Sequence, residues 1–361
     1  MNPLAAHLAE RIARDGPITI EAYMTACLLD PRHGYYTTRE PFGSTGDFIT
    51  APEISQMFGE LLGLWCWSQW AAAGQPQPAV LAELGPGRGT LLADALRAIE
   101  GATQKPAPFD LHLVEASPTL RAKQRETLGG RKVTWHDDAE GLPEGTPCFI
   151  LANEFFDALP IRQFVATPQG WRERLVTVTN DKLAAAISPK VAPAGLIDGL
   201  PEAATGRVAE HAPIRRDVMA SLSRRVARDG GCALIIDFDD PKLPLADTFQ
   251  AVRSHRYADR FEEPGESDLA SAVDFTDLAR VAGDKGVRVH GPVAQGTFLR
   301  SLGIDHRAEQ LCRSASPEQI KTIMAALERL VSARGMGNDF KVIGLTLASG
   351  PTPEGFGEQT P

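Results

Sequence analysis

The chain has 361 residues, 43% of them hydrophobic, enough to bury one large domain with additions or two domains. Its formal net charge of -9 disfavours a nucleic-acid partner, and the arginines of its basic cluster, Arg215, Arg216, Arg224, Arg225 and Arg228, alternate with apolar residues as on a solvated helix face. Five scattered cysteines without a C-x-x-C pair fit a reduced, cytoplasmic setting of bacterial type with no presequence visible, and no apolar run reaches the roughly 18 residues that span a bilayer.

Residues 4–30 read as two helices, the second from about Thr19 to Leu29, stopping before Asp30-Pro31. A loop rich in glycine and proline follows. Thr50-Ala51-Pro52-Glu53 has the form of a capping box with proline near the helix start, and Ile54, Met57, Phe58, Leu61, Leu62 and Trp65 continue at helical spacing. Trp65, Trp67 and Trp70 read as packing residues. From residue 79, short apolar runs alternate with helices: 79–84, 110–115, 132–135, 148–152, 232–238 and a last one near 341–348. This predicts an α/β fold around a mostly parallel sheet. Ile161 to Val165, Arg172 to Val178 and Leu183 to Ile187 suggest a small antiparallel insertion, and a second insertion, about 240–300, is rich in Asp, Glu, Gly and Pro. The tail from Ser349 reads as disordered.

The most informative stretch is Ala82-Glu83-Leu84-Gly85-Pro86-Gly87-Arg88-Gly89-Thr90, an acid and three alternate glycines between a strand and a helix. Glycines there let a ligand approach the backbone amides, and the helix N-terminus suits a carboxylate or phosphate. The dinucleotide fingerprint would need glycine where Thr90 stands, and no phosphate-loop motif is present. The next strand ends in Glu115, placed as a carboxylate that accepts from two ribose hydroxyls. Together these features point to S-adenosylmethionine. The competing reading of Glu115 is a cap or a solvated acid beside Ser117-Pro118.

Asn153-Glu154-Phe155-Phe156-Asp157-Ala158-Leu159-Pro160 places polar groups just past the fourth strand. Methyl transfer needs nucleophile, methyl carbon and sulfur aligned in a dry pocket, and a nitrogen nucleophile gains charge that Glu154 or Asp157 could orient while accepting a proton. Asn153, Glu154 and Asp157 are therefore the candidate catalytic residues. Alternatively, Asn153 caps a helix whose dipole the two acids complement. Eight histidines show no H-E-x-x-H pattern, and no metal site is expected.

The chain resembles the MidA-type, class I S-adenosylmethionine-dependent methyltransferases, whose mitochondrial members are complex I assembly factors that methylate an arginine of a complex I subunit. The matching segments are His33-Gly34-Tyr35-Tyr36, Gly46-Asp47-Phe48-Ile49-Thr50-Ala51-Pro52-Glu53-Ile54-Ser55 and Phe58-Gly59-Glu60, then Glu83 to Gly89, Val114-Glu115 and Asn153 to Pro160. Coarser similarity continues through Gln295-Gly296-Thr297-Phe298-Leu299 to Met336-Gly337 and Phe340-Lys341-Val342. The resemblance implies a Rossmann-like fold with a seven-stranded, mostly parallel sheet. It implies donor contacts from Glu83, Gly85, Gly87, Gly89, Glu115, Asn153 and Asp137, the last after the third strand where the adenine amino group is often held. It further implies that loop 34–55 closes over the donor, with Tyr35, Asp47 and Glu53 on the substrate side. The division that follows is a helical cap with the donor-covering loop over 1–75, a methyltransferase domain over 76–348 with insertions at about 160–215 and 240–300, and a disordered tail over 349–361.

Two departures concern the acceptor side. Where the family tends to carry Asp-Tyr-Gly-His, this chain has Asp237-Phe238-Asp239-Asp240, and a later family histidine is replaced by Ala272. Imidazole can bind, orient or accept a proton near neutral pH, and neither aspartate nor alanine reproduces all three roles. The expected function is methylation of an arginine in a protein partner such as a complex I subunit, without nucleic acid or membrane insertion. The alternative is a donor-binding assembly protein with altered or lost turnover, and a nicotinamide oxidoreductase is disfavoured by Thr90.

Overall fold

The computed structural model describes residues 2–38, 50–198 and 200–357. The chain forms two units, one from residues 1–48, 157–217 and 240–274, the other from 49–156, 218–239 and 275–361.

The second unit is built on seven strands: β1 (Val80–Leu84), β2 (Asp110–Val114), β3 (Val133–His136), β4 (Cys148–Asn153), β5 (Gly231–Phe238), β6 (Val287–Ala294) and β7 (Phe340–Leu347). Their order is β6-β7-β5-β4-β1-β2-β3. Every residue of β1 and β4 is buried, as expected of apolar strands covered on both faces. β7 alone runs against the direction of the other six strands, pairing Ile343 with Ile235 of β5 and Leu345 with Val289 of β6. From β1 the chain builds outward through β2 and β3 on one side and β4 and β5 on the other. A switch in strand order therefore falls between β1 and β4, and ligands bind such sheets at the carboxyl ends of the strands there.

Three helices position that end: α1 (Gln56–Ala72), α2 (Thr90–Thr103) and α3 (Pro118–Leu128). Met57, Phe58, Leu61 and Trp65 of α1 share one core with Leu81, Leu113, Phe149, Leu151 and Ile236. Helix α1 meets α2 where small residues let the backbones approach, and a Cβ on Gly63 would lie 2.4 Å from the Cα of Ala95.

The other unit begins with helices Pro3–Asp15, capped by Asn2, and Ile20–Leu29, capped by Thr19. Strands Arg162–Thr167, Gly170–Thr179, Lys182–Val191 and Val208–His211 form an antiparallel sheet with the short strand Ile18–Thr19. A second sheet centres Gln250–Arg253 between Arg256–Ala258 and Asp268–Ala270. Leu4, Leu8, Tyr23 and Met24 share a core with Ile161, Val176, Phe249 and Leu269.

The parallel sheet, the N-terminal helices, the antiparallel insertion and the packing role of Trp65 and Trp70 agree with the sequence reading. Several details do not. The division at residue 75 gives way to a unit that joins residues 1–48 to the two insertions, while α1 belongs with the parallel sheet. The second insertion ends at Asp274, because Phe275–Gly283 is a helix and Val287–Ala294 is β6. The helix expected from Thr50 is two helices, Ala51–Ile54 and α1, parted at an extended Ser55 whose hydroxyl accepts the Met57 amide at 3.2 Å. Thr50 makes no side-chain capping bond.

The tail is docked as far as Phe356: the Glu354 carbonyl accepts from Trp65 Nε1 at 3.0 Å, and the Phe356 ring packs 5.2 Å from that of Phe298. Residues 358–361 lie outside the described residues. The arginines of helix Pro213–Asp229 are not one solvated face, since Arg215 and Arg225 are 3% and 5% exposed. Backbone carbonyls make that burial possible: Arg215 donates to those of Asp157, Ser271 and Ala272, and Arg225 to those of Pro143 and Ala139.

The α1–α2 contact gives a paired expectation. Gly63→Val, which must push on the Ala95 backbone, should lower stability by about 1–3 kcal/mol. Gly101→Ala, in α2 with open space around the new methyl, should raise it by about 0.5–1 kcal/mol. Urea unfolding measures both, and equal midpoints for Gly63→Val and wild type would refute the close approach.

Candidate functional site

The turn from β1 to α2 is left-handed at each alternate glycine, with φ of 61° at Gly85, 51° at Gly87 and 81° at Gly89. A branched side chain is strained there. Gly85 is hemmed in as well, since a Cβ on it would lie 2.8 Å from the Phe155 ring. Gly89 caps α2 without a side-chain acceptor, so the helix presents its N-terminal dipole at the turn. Glu53 closes the turn from the other side: its Oε1 accepts from Thr90 Oγ1 at 2.5 Å, and Arg88 lies 3.7 Å from Oε2. The carboxylate expected to cap its own helix thus holds the start of α2.

Two acids end adjacent strands. Glu83 is 3% exposed; burial pushes its carboxyl up to about 8, with Glu115 adding to the rise and the Leu92 amide opposing it. Its Oε2 has no hydrogen-bond partner among the described residues. Glu115 is pushed up to about 7, again by burial first, against hydrogen bonds from the Ser117 amide at 2.8 Å and Gln124 Nε2 at 3.2 Å. The Ser117 hydroxyl caps α3 by accepting from Leu120, so Glu115 is neither a cap side chain nor a solvated acid.

At the end of β4, Asn153 is buried and its Oδ1 has no partner among the described residues. Glu154 follows with φ of 50°, and its Oε1 accepts from the Ala51 amide at 2.9 Å and from Asn153 Nδ2 at 3.2 Å. No helix follows, so capping by Asn153 is set aside. Neighbouring β5 fixes the loop: Glu154 N–H donates to the Ile236 carbonyl and Phe156 N–H to Asp237 Oδ2, each at 2.9 Å, with Asp237 fully buried.

The turn, Glu83, Glu115, Asn153 and Glu154 are thus brought to one end of one sheet, at the carboxyl ends of β1, β2 and β4. Further expected site residues are not among these strand ends. Asp137 follows β3 with its side chain 85% exposed, paired to Arg121 at 2.6 Å. Tyr35 and Asp157 belong to the other unit. Tyr35 is fully buried in that unit's core, and in its motif the hydroxyl of Tyr36 donates to Asp268 at 2.8 Å. The Asp157 carboxyl is buried near Tyr36, and its carbonyl accepts from Ser271 and Arg215. Asp47 lies outside the described residues. Sequence reasoning missed Gln124, a fully buried glutamine, and the anchoring role of Asp237; the traces they leave are a polar residue on the inward face of α3 and an acid near the end of the apolar strand β5.

An adenosyl sulfonium donor fits these groups. The orphaned buried acceptors Glu83 Oε2 and Asn153 Oδ1 match its hydroxyl and ammonium donors, and the turn and α2 N-terminus match its carboxylate. Fold and site therefore define a class I S-adenosylmethionine-dependent methyltransferase. The model of a family described as "Putative S-adenosyl-L-methionine-dependent methyltransferase" matches residues 61–293, and the chain belongs to that family.

The chain is 38% identical over 373 residues to the human protein named "Protein arginine methyltransferase NDUFAF7, mitochondrial", covering 96% of this chain and 83% of the relative. It is 37% identical to the Drosophila melanogaster homolog of the same name, over 95% of this chain and 84% of that one. A crystal structure of a COG1565 superfamily member from Burkholderia thailandensis, bound to S-adenosyl-homocysteine, superposes with a TM-score of 0.87 at 28% identity, covering 98% of this chain and 94% of that one. The cytoplasmic setting expected from the cysteines and the N-terminus is overturned by these relatives, which are named as mitochondrial proteins. No helix among the described residues is long and apolar enough to cross a membrane, and no metal-binding cluster occurs among them.

Gly87→Val should abolish donor binding in calorimetry while the protein stays folded; wild-type affinity would remove the turn from the site. Glu83 gives a pH expectation. Its folded value of about 8 lies above the ordinary 4.5, so its contribution to stability is complete below 4.5 and lost as pH rises through 8. In donor-free protein, Glu83→Gln should narrow the stability gap between about pH 5.5 and about pH 8.5, read by urea unfolding. Parallel pH profiles for variant and wild type would contradict this assignment.

Proposed function

We propose that this chain methylates a guanidinium nitrogen of an arginine in a protein partner, with a respiratory complex I subunit as the candidate that the family resemblance names. The observation that carries the reading is the Glu154 carboxylate, fixed by the Ala51 amide and Asn153 at the end of β4 beside the donor turn. The relatives named protein arginine methyltransferases support the same acceptor.

S-adenosylmethionine supplies an electrophilic methyl group on a sulfonium when bound. The glycine turn, Glu83 and Glu115 would hold it by its carboxylate and hydroxyls, and Asn153 by its buried carbonyl oxygen. Glu154 would pair with the substrate guanidinium, orient one nitrogen, and accept the proton that this nitrogen must lose. Asn153 keeps the Glu154 carboxylate aimed, and Asp237 holds the loop that carries it. A left-handed Glu154 costs of order 1–3 kcal/mol, a strain that surrounding contacts sustain at functional positions.

The test is transfer of labelled methyl from S-adenosylmethionine to recombinant complex I subunits, with mass spectrometry to locate methylarginine. Glu154→Gln should keep donor affinity and slow transfer by about 10²-fold or more. The proposal fails if donor-saturated wild-type protein labels no arginine, or if Glu154→Gln turns over like wild type.

A further inference from the structure

We infer that Gln124 is a positioning residue for donor binding, tying the backbone of the glycine turn to the carboxylate of Glu115. The inference rests on the reading of both as donor-binding groups. Gln124 lies on α3 and is fully buried. Its Nε2 donates to the Gly87 carbonyl at 2.8 Å and to Glu115 Oε2 at 3.2 Å, while its Oε1 accepts from Trp135 Nε1 at 2.8 Å. These three bonds fix the amide uniquely. An indole N–H only donates, so it must face the Gln124 oxygen, and both amide protons are then directed at Gly87 and Glu115. Trp135 is itself held, with the Arg125 guanidinium 4.6 Å from its ring centroid.

Three elements meet at this one side chain: the turn after β1, the end of β2, and Trp135 on β3. Glu115 thereby has one oxygen on the Ser117 amide and the other on Gln124, which sets the plane of its carboxylate before any ligand arrives. A ribose with two hydroxyls then meets an acceptor that needs no reorganisation. The same bond favours the ionised, acceptor-only form of Glu115. Arg121 on α3 works in the same direction, and Glu83 on β1 is the facing acid; His136 at the end of β3 accepts the Glu115 amide, and Asp137 beyond it pairs with Arg121.

Calorimetric titration with S-adenosyl-homocysteine between about pH 6 and about pH 9 tests this in the full chain. Gln124→Met should bind about tenfold more weakly near pH 7.5, with the acid limb of its affinity profile moved to higher pH. Gln124→Glu, which turns a second carboxylate toward Glu115 and the Gly87 carbonyl, should bind more weakly still. Trp135→Phe, which removes the donor to the Gln124 oxygen and keeps an aromatic ring beside Arg125, should show a smaller loss in the same direction and decides the question should the Gln124 variants not fold. Wild-type affinity and an unmoved pH limb in Gln124→Met and Trp135→Phe would overturn the inference while leaving the donor-site reading intact. Unchanged affinity in Glu115→Ala would overturn both.

Discussion

Two carboxylates buried at the ends of adjacent parallel strands, Glu83 on β1 and Glu115 just beyond β2, are the constraint around which this end of the molecule is organised. Neither can be ionised cheaply there, and each raises the cost of ionising the other. Ser117, Gln124 and the charge of Arg121 compensate Glu115, whereas Glu83 keeps an oxygen with no partner among the described residues. A cationic ligand carrying hydroxyl and ammonium donors relieves both. The left-handed glycines bring its backbone partners close, and the parallel sheet puts strand ends and the helix N-terminus on the same side.

The chemistry beside that pocket depends on a second constraint, a loop that leaves β4 without entering a helix. Adjacent β5 supplies its partners, the Ile236 carbonyl and the buried Asp237 carboxylate, so the polypeptide turns sharply enough to put Glu154 in the left-handed region. Asp237 opens the segment in which this chain departs from its family at Asp240. Its role in holding the loop does not depend on the missing histidine. The departure at Ala272 lies in the other unit, where its carbonyl accepts from buried Arg215.

Legibility in the sequence followed the range of the interactions. Strands β1, β4 and β5 were visible because each is a short unbroken apolar run between turn residues, and the glycine turn because alternate glycines after a strand have few other uses. Strand β6 was not, because Gly291-Pro292 interrupts it and its register shifts between His290 and Val293. The split at Ser55 was hidden by a local capping pattern whose acid is drawn instead to Thr90, 37 residues away. Arg215 and Arg225 read as solvated because nothing in their neighbourhood along the chain announces the carbonyls that surround them. Phe356 sits in a tail whose composition suggests disorder, yet it finds aromatic partners on β6 and on helix Gln295–Ser301.

What the sequence by itself determined is therefore the sheet's core strands, the donor turn with its acids, and the polar loop after Leu151. Each is encoded by residues that act on their immediate neighbours through backbone conformation, periodicity or charge. Tertiary structure alone decided which units the insertions join, how Glu53 closes the turn, how Asp237 holds Glu154, and that Gln124 spans from α3 to three elements of the sheet end. Those contacts link residues far apart in sequence, and burial satisfies a carboxylate, amide or guanidinium with whichever donors and acceptors the fold brings within about 3 Å.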